Sequence, residues 1–406
     1  MILMLASEML PSRNIPIACA RSFFVMFLVV VPVLVPYWRS LGLSMRQVIE
    51  LQAIFGLAVA IFEAPTGYVA DIWGRKASVV LGGLISGLGF SLLPLATTYW
   101  ELFLFEVALA LGCSLSSGAI DALIYESIPA GRSRKQVIGA VGQWSLVGEA
   151  AAALAASGLV LWSFSAVVWA QVVVGWVPFV LALFFVEPPR EPMVESSHRE
   201  RFMEVMREVF TKDSLTRLVF VNYVAWALST FSAVWLLQEY WRQVGLPLGY
   251  FGLLWGALHL VAAVVSRIAH RIESMLGAQR TLTVIACLPI AAYLLMAWAP
   301  TGVGVASGVL FYVSRGLTMV VYQDAFNWRI RSMFRATANS LQSLGFRLGF
   351  APIGFVVGSV VDVRGLPAAF SLLAAGFSLC GVLLLRPMIR RIDELHVEYI
   401  PEPTEA

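Results

Sequence analysis

Ten residues from Gly67 to Lys76, G-Y-V-A-D-I-W-G-R-K, gather a carboxylate, two glycines and two cations into one short stretch. Gly67 would let helices pack closely, and Gly74 would permit the tight turn that two antiparallel helices need. Asp71 is an anion of the kind a helix N-terminus stabilises, with the cations Arg75 and Lys76 beside it. Such a set holds elements together and breaks no bonds. No bond-breaking constellation is found elsewhere: the chain lacks H-E-x-x-H, a Walker loop and G-x-S-x-G. No enzyme activity, cofactor or metal is therefore expected. Cys19, Cys113, Cys287 and Cys380 lie in apolar runs without His or Cys at ligand spacing, which argues against a disulfide framework and a zinc site.

A second set of ionisable residues lies inside apolar stretches, where each charge is expensive and so a functional candidate. Glu149 sits in G-E-A-A-A-A, among small side chains that allow close helix contact. A carboxylate there must be protonated or paired; the first condition suits a proton carrier, the second a structural ion pair with Arg347. Glu63 and Asp324 complete the candidates for ion coupling, and Glu106 lies in the outer part of its run. Arg21 and Arg315 could bind an anionic group of a solute, or pair with Glu63 and Asp324. Asn222, Tyr223, Trp226 and Gln238 in one run, with Tyr322 and Gln323 in another, offer aromatic and amide surface for a cavity that suits an amphipathic organic molecule.

These residues need elements to hold them. Of the 406 residues 59% are hydrophobic and only 13% charged, against roughly a quarter charged in soluble domains. The apolar residues fall in runs of about twenty, enough to cross ~30 Å of hydrocarbon as helices. The runs predict an all-α transmembrane chain with twelve spans, at 15–38, 48–70, 77–97, 101–124, 136–157, 162–186, 215–239, 249–269, 281–299, 302–324, 336–361 and 366–386. Two six-helix bundles are expected, 1–186 and 214–406, joined by a linker over 187–213. The linker opens E-P-P-R-E-P, which stops a helix. It then turns amphipathic, with Phe202, Val205, Met206, Val209 and Phe210 on one face, and reads as a helix lying on the membrane surface. Trp38, Trp100, Trp162 and Trp241 read as interfacial anchors. No cleavable signal peptide is expected.

With the N-terminus inside, twenty-one of the 28 basic residues face the cytoplasm and only Arg39, Arg46, Arg242 and Arg364 face out, which predicts cytoplasmic termini. The halves also repeat. Tyr37–Leu43 reads Y-W-R-S-L-G-L and Tyr240–Leu246 reads Y-W-R-Q-V-G-L. Arg132 and Arg134 follow Tyr125 at the same offsets as Arg329 and Arg331 follow Tyr322. Parallel repeats of six helices are a transporter architecture.

The stretch Gly67–Lys76, placed after the second span, resembles the signature loop of the major facilitator superfamily, Gly-x-x-x-Asp-x-x-Gly-Arg-Lys/Arg. Span count, central linker and repeat extend the resemblance over the whole chain. Glu63–Thr66 (E-A-P-T) and Arg335–Thr337 (R-A-T) look like a prokaryotic drug-exporter-like branch, although span five has Gly139, Gly142 and Gly148 without the proline often found there. In the second half Glu273, Gly277 and Arg280 are a loose copy of the loop. The resemblance implies that Asp71 faces the N-terminus of helix eleven, near Ala336. It implies that Arg75 pairs at the inner end of helix four, with Asp121 or Glu126, as part of a conformational latch, and that spans one, four, seven and ten line a central cavity. The implied function is secondary transport of a small organic solute by alternating access, with proton-coupled efflux favoured over uptake or facilitated diffusion of a solute or lipid-like molecule. A non-transporting sensor on the same fold is the alternative of another class. A monomer in the inner (plasma) membrane is expected, with no nucleic-acid partner.

Overall fold

The structure is a computed structural model that describes residues 13–129, 132–187, 198–331 and 334–398; the E-P-P-R-E-P stop beyond Glu187 lies outside them. All regular structure among the described residues is helical. In chain order the helices are α1 Asn14–Met26, α2 Leu34–Ser40, α3 Met45–Trp73, α4 Arg75–Leu92, α5 Tyr99–Glu126, α6 Arg134–Leu159 and α7 Phe164–Leu183. There follow α8 His198–Arg207, α9 Ser214–Gln243, α10 Gly249–Leu276, α11 Ala278–Trp298, α12 Thr301–Arg329, α13 Arg335–Arg364, α14 Leu366–Cys380 and α15 Arg386–Glu398. Eleven stretches among the described residues are long and apolar enough to cross a membrane. The twelfth, α4, opens on Arg75 and Lys76, which shortens its apolar run.

The first span departs from the continuous helix expected. It stops at Met26 and resumes through a short 3₁₀ turn, Val31–Val33, before α2. The cause is readable in V-V-P-V-L-V-P: Pro32 and Pro36 donate no backbone hydrogen bond, and each ring clashes with the carbonyl four residues back. Freed backbone groups at membrane depth need internal partners. Two glutamines provide them. Gln171 of α7 accepts from Val30 N at 3.3 Å. Gln238 of α9 accepts from Val35 N and donates to Val31 O, both at 3.0 Å.

The repeat is visible in the backbone. Gly42 and Gly245 end matching turns with φ of 89° and 76°, and Gly74 and Gly277 do so with φ of 103° and 79°. These are conformations that glycine adopts without strain. The first pair of turns closes on the same bonds, Leu43 N to Trp38 O and Leu246 N to Trp241 O. Trp38 and Trp241 are fully buried there and so belong to the core; Trp100 and Trp162 are exposed.

The chain forms two compact units, Met1–Met193 with Gln238–Ala257, and Val194–Leu237 with Leu258–Ala406. In the first unit α6 and α10 meet along a seam of small residues. A side chain at Gly252 would collide with Ala153 O, and Ala152, Ala153 and Ala156 are buried. This is what the alanine run beside Glu149 accomplishes, since lipid offers no hydrophobic drive and close packing holds spans together. In the second unit α8 packs against α13, with Val205 and Val209 fully buried. That part of its apolar face is covered by protein where a bilayer surface was expected.

Replacing Gln238 by leucine should strand Val35 N–H in a dry region, at about 1–3 kcal/mol, and leave Val31 C=O with the Leu34 N–H alone. The purified Gln238→Leu protein should therefore unfold at a clearly lower temperature. An unchanged melting temperature would mean that the break is held by something else.

Candidate functional site

Three polar assemblies and one cavity stand out, each within a single unit. At the basic side of the first unit, Glu187 accepts from the backbone N–H groups of Arg75 and Lys76 at 2.8 and 2.7 Å. It thereby caps α4, where a carboxylate is favoured by the helix dipole. Arg75 turns its guanidinium to Glu126, with bonds of 3.1 and 2.8 Å. Glu126 ends α5, where a carboxylate opposes the dipole and gains most from a cation. Of the two candidates for Arg75, Asp121 is exposed and takes no part. Asn14 ties the start of α1 to Val186 through both donor and acceptor, and donates to Ser127 Oγ. Asp71 makes no hydrogen bond or ion pair among the described residues of the first unit, and the helix terminus expected to face it belongs to the second. The close packing expected of Gly67 is not found: a Cβ there would meet nothing within 4 Å.

On the opposite side of the same unit, Glu239 is fully buried. Arg242 holds it with two bonds of 2.7 and 2.8 Å, and Arg39 approaches to 3.8 Å. These two arginines are the same position of the repeated Y-W-R turn. One buried anion thus serves both copies of the motif. A buried carboxylate is tolerated only when paired, so the arrangement binds the end of α9 to the end of α2.

The linker of the second unit carries the third assembly. Glu208 accepts from Arg331 N and Nε, and Glu204 adds a longer contact to the same arginine. Burial pushes the Asp213 carboxyl up, but bonds from Leu215 N, Thr216 and Arg329 outweigh it and hold Asp213 below the usual carboxylate range.

The cavity lies inside the second unit and measures about 250 Å³. Each wall is one face of a helix, with residues three or four apart. Tyr223 and Phe231 come from α9, Arg315 and Gln323 from α12, and Gln342 and Phe346 from α13. Arg315 is the central residue of the 29-residue helix α12. Tyr223, Arg315 and Gln323 of the expected cavity residues line this space. The others do not. Trp226 donates to Asn222, and Asn222 donates to the carbonyls of Leu218 and Leu384, so both are core. Tyr322 is buried as well, 1% exposed. Gln238 holds the broken first span. Arg21 is buried on Ser116 Oγ at 3.0 Å.

Neither expected ion pair, Arg21 with Glu63 or Arg315 with Asp324, occurs among the described residues, and both carboxylates are exposed. Arg347 donates to Ser343 Oγ, and Glu149 is half-buried on α6 next to Gly148, whose α-carbon lies tight against Phe23 of α1. The residue that sequence reasoning underrated is Glu106, 4% exposed and bonded to Gln52 at 2.8 Å. Glu187, Glu239 and Gln171 were missed, and Gln238 was assigned to the cavity rather than to the break; the prolines of the first span signalled a need for such partners but not their source.

The chain is thus a multi-pass helical protein with a discontinuous first span, repeated turns in its two halves and a cavity lined in part by mid-helix residues. The model of the Major Facilitator Superfamily matches residues 17–334, and the chain belongs to that family. It is 27% identical over 175 residues to the multidrug resistance protein MdtH of Yersinia enterocolitica serotype O:8 / biotype 1B. That match covers 42% of this chain and 40% of the relative's length. Among solved structures it is similar to the nucleoside transporter NupG (TM-score 0.75, 14% identity, 93% of this chain and 98% of that one). It is also similar to a bacterial homolog of the human lysosomal transporter Spinster in an inward-facing, unoccupied conformation (0.72, 18%, 93% and 95%). At such identities these likenesses establish the fold alone.

The double clamp on Glu239 predicts non-additive losses. Arg39→Gln or Arg242→Gln alone leaves the carboxylate one cation, whereas the pair of substitutions leaves it buried without a cation, held by the Gln243 amide, at up to about 3–5 kcal/mol. The double variant should lose more thermal stability than the sum of the singles. Simple additivity would contradict the clamp.

Proposed function

We propose that this chain exports a small amphipathic organic solute by alternating access, driven by a proton gradient across the inner membrane. The direction rests on one observation, the sequence match to a multidrug resistance protein. The excess of Lys and Arg on one side favours cytoplasmic termini. On that orientation the Arg75–Glu126 and Glu187 assembly is the inner half of a latch, completed when Asp71 meets the N-terminus of α13. The seam of α6 on α10, the Gln238 bonds and the Glu239 clamp then form the outer closure. Solute movement requires the two to open in turn.

Coupling needs a carboxylate that exchanges its proton between the two states. Glu149 is the one we favour, because its helix carries both the seam with α10 and the tight crossing with α1. Glu106 is the second, since a carboxylate so deeply buried with an amide as its recorded partner is held most cheaply in the protonated form.

The test is flux in proteoliposomes under an imposed pH gradient, across a panel of anionic, cationic and zwitterionic solutes. Wild-type protein should move one class uphill and dissipate the gradient. Glu149→Gln should abolish uphill movement while exchange survives; if uphill movement persists there and is lost in Glu106→Gln, the carrier is Glu106. Asp71→Asn should lower turnover at normal expression, through loss of a contact worth about 0.3–2 kcal/mol. Flux indifferent to the pH gradient would overturn proton coupling.

A further inference from the structure

The second unit's cavity has one-sided chemistry. Arg315 lines it, and among the described residues no acidic side chain does. Among the described residues no carboxylate pairs with Arg315; its recorded neighbour is the ring of Tyr312, 6.0 Å from the guanidinium carbon. A cation kept at mid-helix in a membrane protein without a counter-charge is costly. Gln342, only 2% exposed, lines the same space, and its Nε2 donates to no acceptor among the described residues. The neighbouring amides partly satisfy each other, Gln323 Nε2 donating to Asn339 Oδ1 at 2.9 Å. The site therefore has donors and positive charge to spare.

The remaining wall is aromatic. Phe231 packs edge-on against Phe346 at 5.0 Å and Phe350 at 4.8 Å. Tyr223 faces the cavity from the same helix as Phe231, two turns away. Such rings accept a flat apolar body. A volume of about 250 Å³ lies just below the usual range of ligand pockets, about 300–1,000 Å³, and fits one or two fused rings.

We propose that the cavity binds a small aromatic organic acid, with the carboxylate on Arg315 and Gln342 and the ring against Phe231 and Phe346. The planar guanidinium fork suits a carboxylate, which it can bind through two parallel hydrogen bonds. The missing anion of the site is then the solute itself. This assigns a substrate class to the transporter reading and rests on it, but it concerns binding and not direction or coupling.

The experiment is equilibrium binding to the purified full-length protein at pH 7, without a gradient, using three probes of one shape. These are 1-naphthoate, the neutral 1-naphthamide and the cationic 1-naphthylmethylammonium. Naphthoate should bind at least tenfold more tightly than the amide, and the cation more weakly than either. Arg315→Gln should erase the preference for the acid over the amide, and Arg315→Lys should keep part of it. Gln342→Leu should weaken naphthoate severalfold more than naphthamide, which keeps the proposal testable if the arginine variants do not fold. Equal binding of acid and amide, tighter binding of the cation, no binding of any probe, or an acid preference that survives Arg315→Gln would overturn it. Failure of proton-driven flux would leave this result intact, and failure here would leave export intact.

Discussion

A polar group inside a bilayer has no water to turn to, and the structure follows from that constraint. It is sharpest in the first span, where two prolines break the helix and expose Val30, Val31 and Val35. The break survives because side chains from α7 and α9 replace the lost bonds. Gln238 is the key partner, since it bonds on both sides of the 3₁₀ turn. The residue after it, Glu239, is buried and needs cations, and the two repeat-related arginines supply them. One turn of α9 therefore satisfies the broken backbone and anchors both copies of the Y-W-R motif.

The same accounting separates structural charges from working ones. Arg75, Glu126, Glu187 and Arg331 have partners at helix ends, where dipoles and solvent lower the cost. Arg315 has an aromatic neighbour and a donor-rich cavity but, among the described residues, no carboxylate, which is the basis for assigning its charge to the solute. Small residues do the complementary work. Ala153 and Gly252 let α6 and α10 touch at backbone distance without a polar bond, and such a contact can part and re-form at little cost.

Much of the fold was legible in the sequence because membrane helices carry strong signals: apolar runs, basic loops and a motif with fixed spacing. The turn at Gly74 and its copy at Gly277 could be read from glycine positions alone. What escaped was long-range partnership. Gln171 and Gln238 look like ordinary polar residues in apolar runs, and only the fold brings them to Val30 and Val35. Trp38 and Trp241 were misread as interfacial because position near a span end says nothing of the neighbour that buries the ring. Asn222, Trp226 and Tyr322 share helices with the cavity residues but face the other way, and the exact phase of a helix within its bundle is not fixed by composition.

The central claim is that transport requires the contact of α6 with α10 to part. A Cβ at Gly256 would lie 3.3 Å from that of Ala153, near the ~3.5–4.5 Å of a disulfide. With the four native cysteines replaced by serine, protein carrying Ala153→Cys and Gly256→Cys should be oxidised in proteoliposomes and assayed with the best-transported solute of the panel. Flux should stop when the bridge forms and return on reduction. Full flux through protein whose bridge is verified by mass would contradict the account.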